Sequence, residues 1–164
     1  MLSTISHIHK GTSIKKTNTV EGEIPVIAGG QEPAYYHNEA NRQANVITVS
    51  ASGAYSGFIN FWSQPIFASD CNTIISKDEK IISTKLLYYF LKSIQNLFYS
   101  LQRGQAQPHV YASDIERIKI PLLSNAIQLN ILIINIFYGK VIFCLLVLVL
   151  LWVKHFFTNP KLAK

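Results

Sequence analysis

The chain has 164 residues, of which 49% are hydrophobic and only 15% are charged. That length is enough for one domain with its own core and is short for two. The two cysteines, Cys71 and Cys144, stand far apart with no Cys/His ligand cluster, which argues against a structural zinc site and a disulfide framework. The N-terminus lacks the apolar segment of a signal peptide, so we expect a cytoplasmic protein.

The net charge of +6 is distributed unevenly along the chain. Residues 1–128 hold all nine acidic residues and 11 of the 15 Lys and Arg residues, so they carry only +2. Residues 129–164 hold four lysines and no acidic residue. A nearly neutral body is unsuited to holding nucleic acid by phosphate charge alone and fits better a domain that reads bases within a larger complex.

The first 80 residues alternate β-rich segments with polar loops. The first ten residues carry a weak apolar pattern that fits the end of a helix or an edge strand, and residues 11–23 and 31–45 predict loops. β-branched and aromatic runs bounded by Gly, Pro and Asn predict short strands, two of which form a hairpin around a glycine-containing turn. The predicted strands are residues 24–28, 46–49, 57–61, 65–67 and 72–76, with the hairpin formed by the second and third.

A long amphipathic helix is predicted next, from Ser83 or Thr84 as its N-cap to Gly104 as its stop. Apolar residues recur along it at helical spacing, which indicates a core face packed on the sheet. That stripe consists of Leu87, Phe90, Leu91, Ile94, Leu97, Phe98 and Leu101.

The segment Ser113–Glu116 matches a capping box and predicts a short helix before a strand at residues 118–120. The predicted fold is therefore α+β: a small, twisted, mostly antiparallel sheet with one long packed helix, followed by an atypical apolar helical tail.

Three segments combine glycine-containing turns with amide, hydroxyl, phenol or guanidinium groups. Glycine lets the backbone approach a ligand closely, and in the major groove Arg pairs well with guanine and Gln with adenine. The alternative for each segment is a solvated surface turn without a ligand. The predicted DNA-contacting residues are Gly30, Gln31, Tyr35, Tyr36, His37 and Asn38 in the first segment, Ser52, Gly53 and Tyr55 in the second, and Arg103, Gln105 and Gln107 in the third.

Catalytic interpretations find little support in the sequence. Asp70 and the run Asp78–Lys80 superficially match the acidic and lysine residues of metal-dependent nucleases, but that run predicts a polar turn. A DNA methyltransferase would need an Asn-Pro-Pro-aromatic run and a glycine-rich loop after a strand, and the sequence has neither. We therefore expect a non-catalytic protein with no metal or cofactor of its own.

Six segments follow one another in a recognisable order: residues 22–30 (GEIPVIAGG), Tyr35–Tyr36, 47–62 (ITVSASGAYSGFINFW), 65–71 (PIFASDC), 103–110 (RGQAQPHV) and 114–122 (DIERIKIPL). Their combination, which is more specific than any one of them, resembles the target recognition domain of type I restriction-modification specificity subunits. The resemblance covers about residues 8–128.

The resemblance implies that residues 1–128 are a DNA target recognition domain that reads a half-site of double-stranded DNA in a bacterial, cytoplasmic complex. Its partners would be methyltransferase (modification) subunits and a restriction subunit, and self-association of two half-subunits is a further option. S-adenosylmethionine, ATP and magnesium would be used by those partner subunits and not by this chain.

The tail, residues 129–164, departs from the family's charged spacer helix. It lacks the heptad charge pattern, and its unbroken apolar run of 13 residues is shorter than the about 20 that cross a bilayer. Three interpretations stay open: a frameshifted or truncated spacer, a membrane helix, or a helix buried in an assembly. The alternatives for the whole chain are the specificity module of a fused type II-like restriction-methylation enzyme and a small membrane-anchored protein with a ligand other than DNA.

Overall fold

The computed structural model describes residues 1–120, and both the tail and the predicted start of a spacer at 122–128 lie outside them. The described residues form two β-sheets, four α-helices and one short 3-10 helix at Lys16–Asn18. The α-helices are α1 (Leu2–Ile5), α2 (Thr84–Ser93), α3 (Gln95–Ser100) and α4 (Ala112–Glu116), and the strands are β1 (Ser6–Lys10), β2 (Ile24–Ile27), β3 (Tyr35–His37), β4 (Val46–Ser50), β5 (Ile59–Trp62), β6 (Phe67–Ala68) and β7 (Cys71–Ser76).

The first sheet has the strand order β1-β7-β4-β5, and every neighbouring pair in it is antiparallel. Strands β4 and β5 form the predicted hairpin, with Val46 opposite Trp62 and Val49 opposite Ile59. All five residues of β4 are buried, as expected for a central strand rich in β-branched side chains. The strand β1 settles the ambiguous N-terminus: it is an edge strand preceded by one helical turn.

The second sheet has the order β3-β2-β6, in which β2 runs antiparallel to β3 and parallel to β6. The α+β class and the predominance of antiparallel pairing are confirmed, but the strands are divided between two sheets. Strand β3 lies inside the segment 31–45, which was predicted to be an irregular loop. Its three residues are ordered by pairing with β2, where Val26 lies opposite Tyr35.

The two sheets share one apolar core. Its buried members come from β2 and β6 of the second sheet, from β4 and β7 of the first, and from the segment that precedes β6. Burying each large aliphatic side chain contributes about 1.5–3 kcal/mol, so these contacts stabilise the junction of the two sheets. The cluster consists of Ile27, Val46, Ile66, Ala68 and Cys71, with Trp62 and Ile75 packed against it.

Helix α2 packs on the first sheet through its apolar face. Its buried residues include Leu87, Phe90 and Leu91 from the predicted stripe. The predicted N-cap is confirmed, because the hydroxyl oxygen of Ser83 accepts a hydrogen bond from the amide of Leu86 at 3.1 Å. Such a cap contributes about 1 kcal/mol to helix stability.

The predicted single long helix is wrong, because the helix breaks at Ile94. The side chain of Gln95 bonds away from the helix: its Nε2 donates to the Gly57 carbonyl at 2.7 Å, and its Oε1 accepts from the Ile59 amide at 3.0 Å. The register change also exposes Leu97, which the apolar stripe placed in the core. None of the helices within residues 1–120 is long and apolar enough to cross a membrane.

The end of the described chain corrects two further predictions. Residues 118–120 form no strand, since Ile118 is instead held by a 2.7 Å hydrogen bond from the amide of Leu2 to its carbonyl. The short helix before it exists, but it begins at Ala112 after Tyr111, which makes no side-chain capping bond. Ser113 therefore lies inside α4 and is not the predicted cap.

Candidate nucleic-acid interface

Three turns containing predicted site residues meet at one end of the two sheets. Strands β2, β4 and β6 end there, whereas β5 and β7 begin there, because β4 is antiparallel to both of its neighbours and β2 is parallel to β6. The turns comprise residues 29–31, 51–55 and 103–110, and we call them the three-turn cluster.

The first and second turns touch at Gly29. A Cβ atom on Gly29 would lie 2.5 Å from the carbonyl oxygen of Ser52, so a side chain at this position would collide with backbone. At Gly30, which was predicted from the sequence, an added Cβ would meet nothing closer than 3.6 Å. The close approach therefore depends on the first glycine of the pair. The Ser52 hydroxyl also donates to the carboxylate of Asp70, which fixes the turn to the start of β7.

The second and third turns are joined through their backbones. The amide of Gly53 donates to the carbonyl of Pro108 at 3.0 Å, and the amide of Val110 donates to the carbonyl of Ala51 at 2.9 Å. Between these bonds, Ser52 and His109 form an isolated antiparallel bridge. The turns thus form one connected unit whose shape depends little on the side chains that it displays.

The third turn is closed at its base. Arg103 and His109 exchange two backbone hydrogen bonds, of 2.9 and 2.8 Å. The guanidinium Nη2 of Arg103 donates to Oδ1 of Asp114 at 2.6 Å. The same guanidinium lies 6.0 Å from the ring centroid of Tyr111. Arg103 therefore has partners within the protein.

The three-turn cluster displays polar side chains to solvent from all three of its turns. Amides donate and accept hydrogen bonds and a phenol does both through one oxygen, so such groups can contact base edges and phosphates. The exposed predicted residues of the cluster are Gln31, Tyr55, Arg103, Gln105 and Gln107.

Two other predicted residues, Tyr35 and His37, are engaged inside the protein. The Tyr35 hydroxyl donates to the carbonyl of Ile14. The His37 ring is buried, accepts from the amide of Val20 at 3.1 Å through Nδ1, and packs edge-on against Phe67. Both side chains hold the loop 11–23 against the second sheet.

Tyr36 and Asn38 lie on or directly after the edge strand β3 and are exposed. Side chains alternate between the two faces of a strand, which explains why Tyr36 points away while its neighbours are engaged. The first predicted segment is therefore split: Gly30 and Gln31 belong to the three-turn cluster, whereas Tyr36 and Asn38 belong to a separate edge.

A cavity of about 380 Å³ lies beside the cluster, and some of its lining was missed in the sequence. Lys10 reaches it only because β1 pairs with β7, where Lys10 lies opposite Asn72. No local pattern could have indicated that. His109 and Tyr111 also line the cavity, and their position beside the RGQAQP segment was a usable signal.

The nuclease-like acids are not brought together. Asp70 precedes β7 and Asp78 follows it, so the whole six-residue strand, about 20 Å long at the rise of an extended chain, lies between them. The carboxylate of Glu79 accepts hydrogen bonds from Thr84 at the start of α2. No group of three His, Cys, Asp or Glu residues within residues 1–120 could hold a metal ion.

The described residues form an α+β domain in which three polar turns meet at one end of two sheets. The family model of the type I restriction modification DNA specificity domain matches residues 2–134. That match covers most of the chain, and the chain therefore belongs to this family. No sequence among the curated proteins is significantly similar to it.

Two solved structures of type I systems share the fold. One is the crystal structure of a type I restriction-modification system S subunit from M. genitalium, with a TM-score of 0.71 and 23% identity over 82% of this chain and 37% of that chain. The other comes from work on complex assembly and conformational transition of the type I R-M system, with a TM-score of 0.61 and 16% identity over 79% of this chain and 35% of that one. The chain thus spans little more than a third of either structure's length.

Proposed function

We propose that this domain reads a half-site of double-stranded DNA through the three-turn cluster. The observation that carries the proposal is the convergence of Gln31, Tyr55, Gln105 and Gln107, all exposed. The second and third of their turns are hydrogen-bonded to each other, and the first packs against the second at Gly29. A recognition surface needs side chains that hydrogen-bond bases and a backbone that holds them in fixed relation. Membership of the DNA specificity domain family supports DNA as the ligand.

In this proposal the chain is a non-catalytic, cytoplasmic specificity component. Methyltransferase subunits and a restriction subunit would act on the site that it selects, and they would use S-adenosylmethionine, ATP and magnesium. The near-neutral charge of residues 1–120, with 11 Lys and Arg against nine acids, supports dependence on partners because it offers few phosphate contacts. A second copy of the chain would supply the other half-site.

The test is binding to a duplex selected from a randomised library by the chain in complex with methyltransferase subunits. Labelled forms of that duplex and its single-base variants are titrated at 50 and 200 mM salt, with and without the partner. We expect weak, salt-sensitive binding by the chain alone and tight, sequence-selective binding by the complex. Equal affinity of the complex for all duplexes would refute sequence recognition. A chain that pellets with membranes in cell fractionation would favour the membrane-anchored alternative.

A further inference from the structure

Within the proposed function, on which this inference rests, we infer that Arg103 is a positioning residue and that Gln105 and Gln107 make the base contacts of the third turn. Their ligand is the adenine of an A·T base pair in the major groove. This assignment differs from the expectation from sequence, which gave all three residues a DNA contact.

Arg103 is bonded to a carboxylate whose side chain has no other hydrogen-bond partner among residues 1–120. The side chain of Asp114 is only 9% exposed, whereas that of Arg103 is 64% exposed, and Oδ1 of Asp114 accepts from the Arg103 guanidinium at 2.6 Å. Its other oxygen, Oδ2, is buried without a hydrogen bond to the described residues. If Arg103 turned towards DNA, a largely buried carboxylate would lose its counterion, which is strongly unfavourable.

The turn between Arg103 and His109 is preorganised. Its ends exchange two backbone hydrogen bonds, and Gly104 has a φ of +97°, a conformation that other residues rarely adopt. A Cβ on Gly104 would lie 2.7 Å from the carbonyl oxygen of Gln107, so the loop folds tightly on itself. Arg103 and Asp114 fasten this loop to α4.

The sequence between the two ends is Gly-Gln-Ala-Gln-Pro, so Gln105 and Gln107 carry its only hydrogen-bonding side chains. Both are exposed. A Gln amide complements the donor and acceptor of adenine in the major groove, whereas a free Arg would select guanine. With Nη2 of the guanidinium bonded to Asp114, the exposed amides of Gln105 and Gln107 are the base-reading groups of the turn, and the turn specifies an A·T pair.

The first experiment uses the full chain in complex with methyltransferase subunits and the duplex selected above. Gln105→Ala and Gln107→Ala are tested on every single-base variant of that duplex. We expect at least one of them to weaken binding of the selected duplex by about 5- to 150-fold and to abolish the preference at one A·T position. Lys85→Ala is the control, because Lys85 is exposed on α2 at the far end of β7 from the cluster.

The second experiment separates positioning from direct contact. Arg103→Ala, Asp114→Asn and the double variant should relax the preference at the same A·T position, and the double variant should do so no more than either single one. Their salt dependence should equal that of the parent, since loss of a phosphate contact would lower its slope by about 1. Arg103→Lys, which keeps the charge facing Asp114, should recover much of the preference. Thermal melting establishes that each variant is folded.

Two results would overturn the inference. If Arg103→Ala loses the preference for a G·C pair at one position while Asp114→Asn keeps the base preferences of the parent, Arg103 is a base-reading residue. If Gln105→Ala and Gln107→Ala both keep the base preferences of the parent, neither residue contacts adenine. DNA recognition by the chain would then still stand, through other residues. A parent complex without any sequence preference would instead refute the proposed function itself.

Discussion

Asp70 and Cys71 stand where the three-turn cluster meets the core. Asp70 accepts the hydroxyl hydrogen of Ser52, while the next side chain, Cys71, points into the junction of the two sheets. Burial, together with the smaller effect of the nearby carboxylate of Asp70, raises the pKa of the Cys71 thiol to about 12. The thiol is therefore a protonated, apolar component of the core.

This predicts an unreactive Cys71 in the folded chain. In a Cys144→Ser background, labelling at pH 8 should be about three orders of magnitude slower in the native protein than in denaturant, because the thiolate is the reactive form. If Cys71 is labelled as fast in the native protein as in denaturant, its thiol is not buried.

The raised pKa of Cys71 predicts that the free energy of unfolding falls as the pH rises above about 9. Folding favours the protonated thiol, so its contribution is complete below the unfolded pKa near 9 and is lost as the pH rises towards 12. At pH 10 the unfolded thiolate should lower the free energy of unfolding by about 1.4 kcal/mol relative to pH 7, a loss that Cys71→Ala lacks. Comparing the urea unfolding of the two proteins at both pH values isolates this contribution.

At the scale of secondary structure, the sequence predicted the bounds of an element correctly where those bounds are set by residues of the element itself. The β-branched runs of β4 and β7 lie within one residue of their predicted bounds, and the Ser83 cap marks the start of α2. The failures depend on distant partners. Gln95 breaks the long helix by bonding residues 57 and 59, and β3 exists because it pairs with β2. No window of local sequence contains those contacts.

The candidate site shows the same contrast between what local sequence indicates and what depends on distant contacts. Polar residues beside glycines were visible in the sequence, and the turns at residues 29–31, 51–55 and 103–110 do come together, whereas Tyr36 and Asn38 lie on a separate edge. Which of them are free was not visible, since His37 is buried by contacts with Val20 and Phe67, and Arg103 is bound by Asp114. Each of those partners lies at least 11 residues away in the chain, so the structure was needed to separate displayed side chains from structural ones.

The helix break gives a prediction for stability. Gln95→Ala leaves the buried amide of Ile59 and the carbonyl of Gly57 without their side-chain partner, and each unpaired buried group costs about 1–3 kcal/mol. Urea unfolding of the full chain should therefore show a loss of at least about 1 kcal/mol. Asn96→Ala changes an exposed neighbour and should stay within about 0.5 kcal/mol of the parent. Equal midpoints for Gln95→Ala and the parent would show that these bonds contribute nothing net.

At the scale of the whole molecule, the described chain closes on itself. The amide of Leu2 bonds the carbonyl of Ile118, and both side chains are buried. Helix α4 also packs against β1 and α1. The beginning and the end of residues 1–120 therefore belong to one core, and the polar cluster is assembled from turns that this core holds in place.

This closure predicts that residues 1–128 fold without the apolar tail. The fragment should give the circular dichroism spectrum of a mixed α+β protein and a single cooperative thermal transition, because every contact of the core described above lies within residues 1–120. The matched control is Leu2→Ala in the same fragment. It removes a fully buried side chain at the closure and should lower the free energy of unfolding by about 2–5 kcal/mol. A fragment that melts without cooperativity, while the full chain melts in one transition, would show that the tail completes the core and would place the domain boundary beyond residue 128.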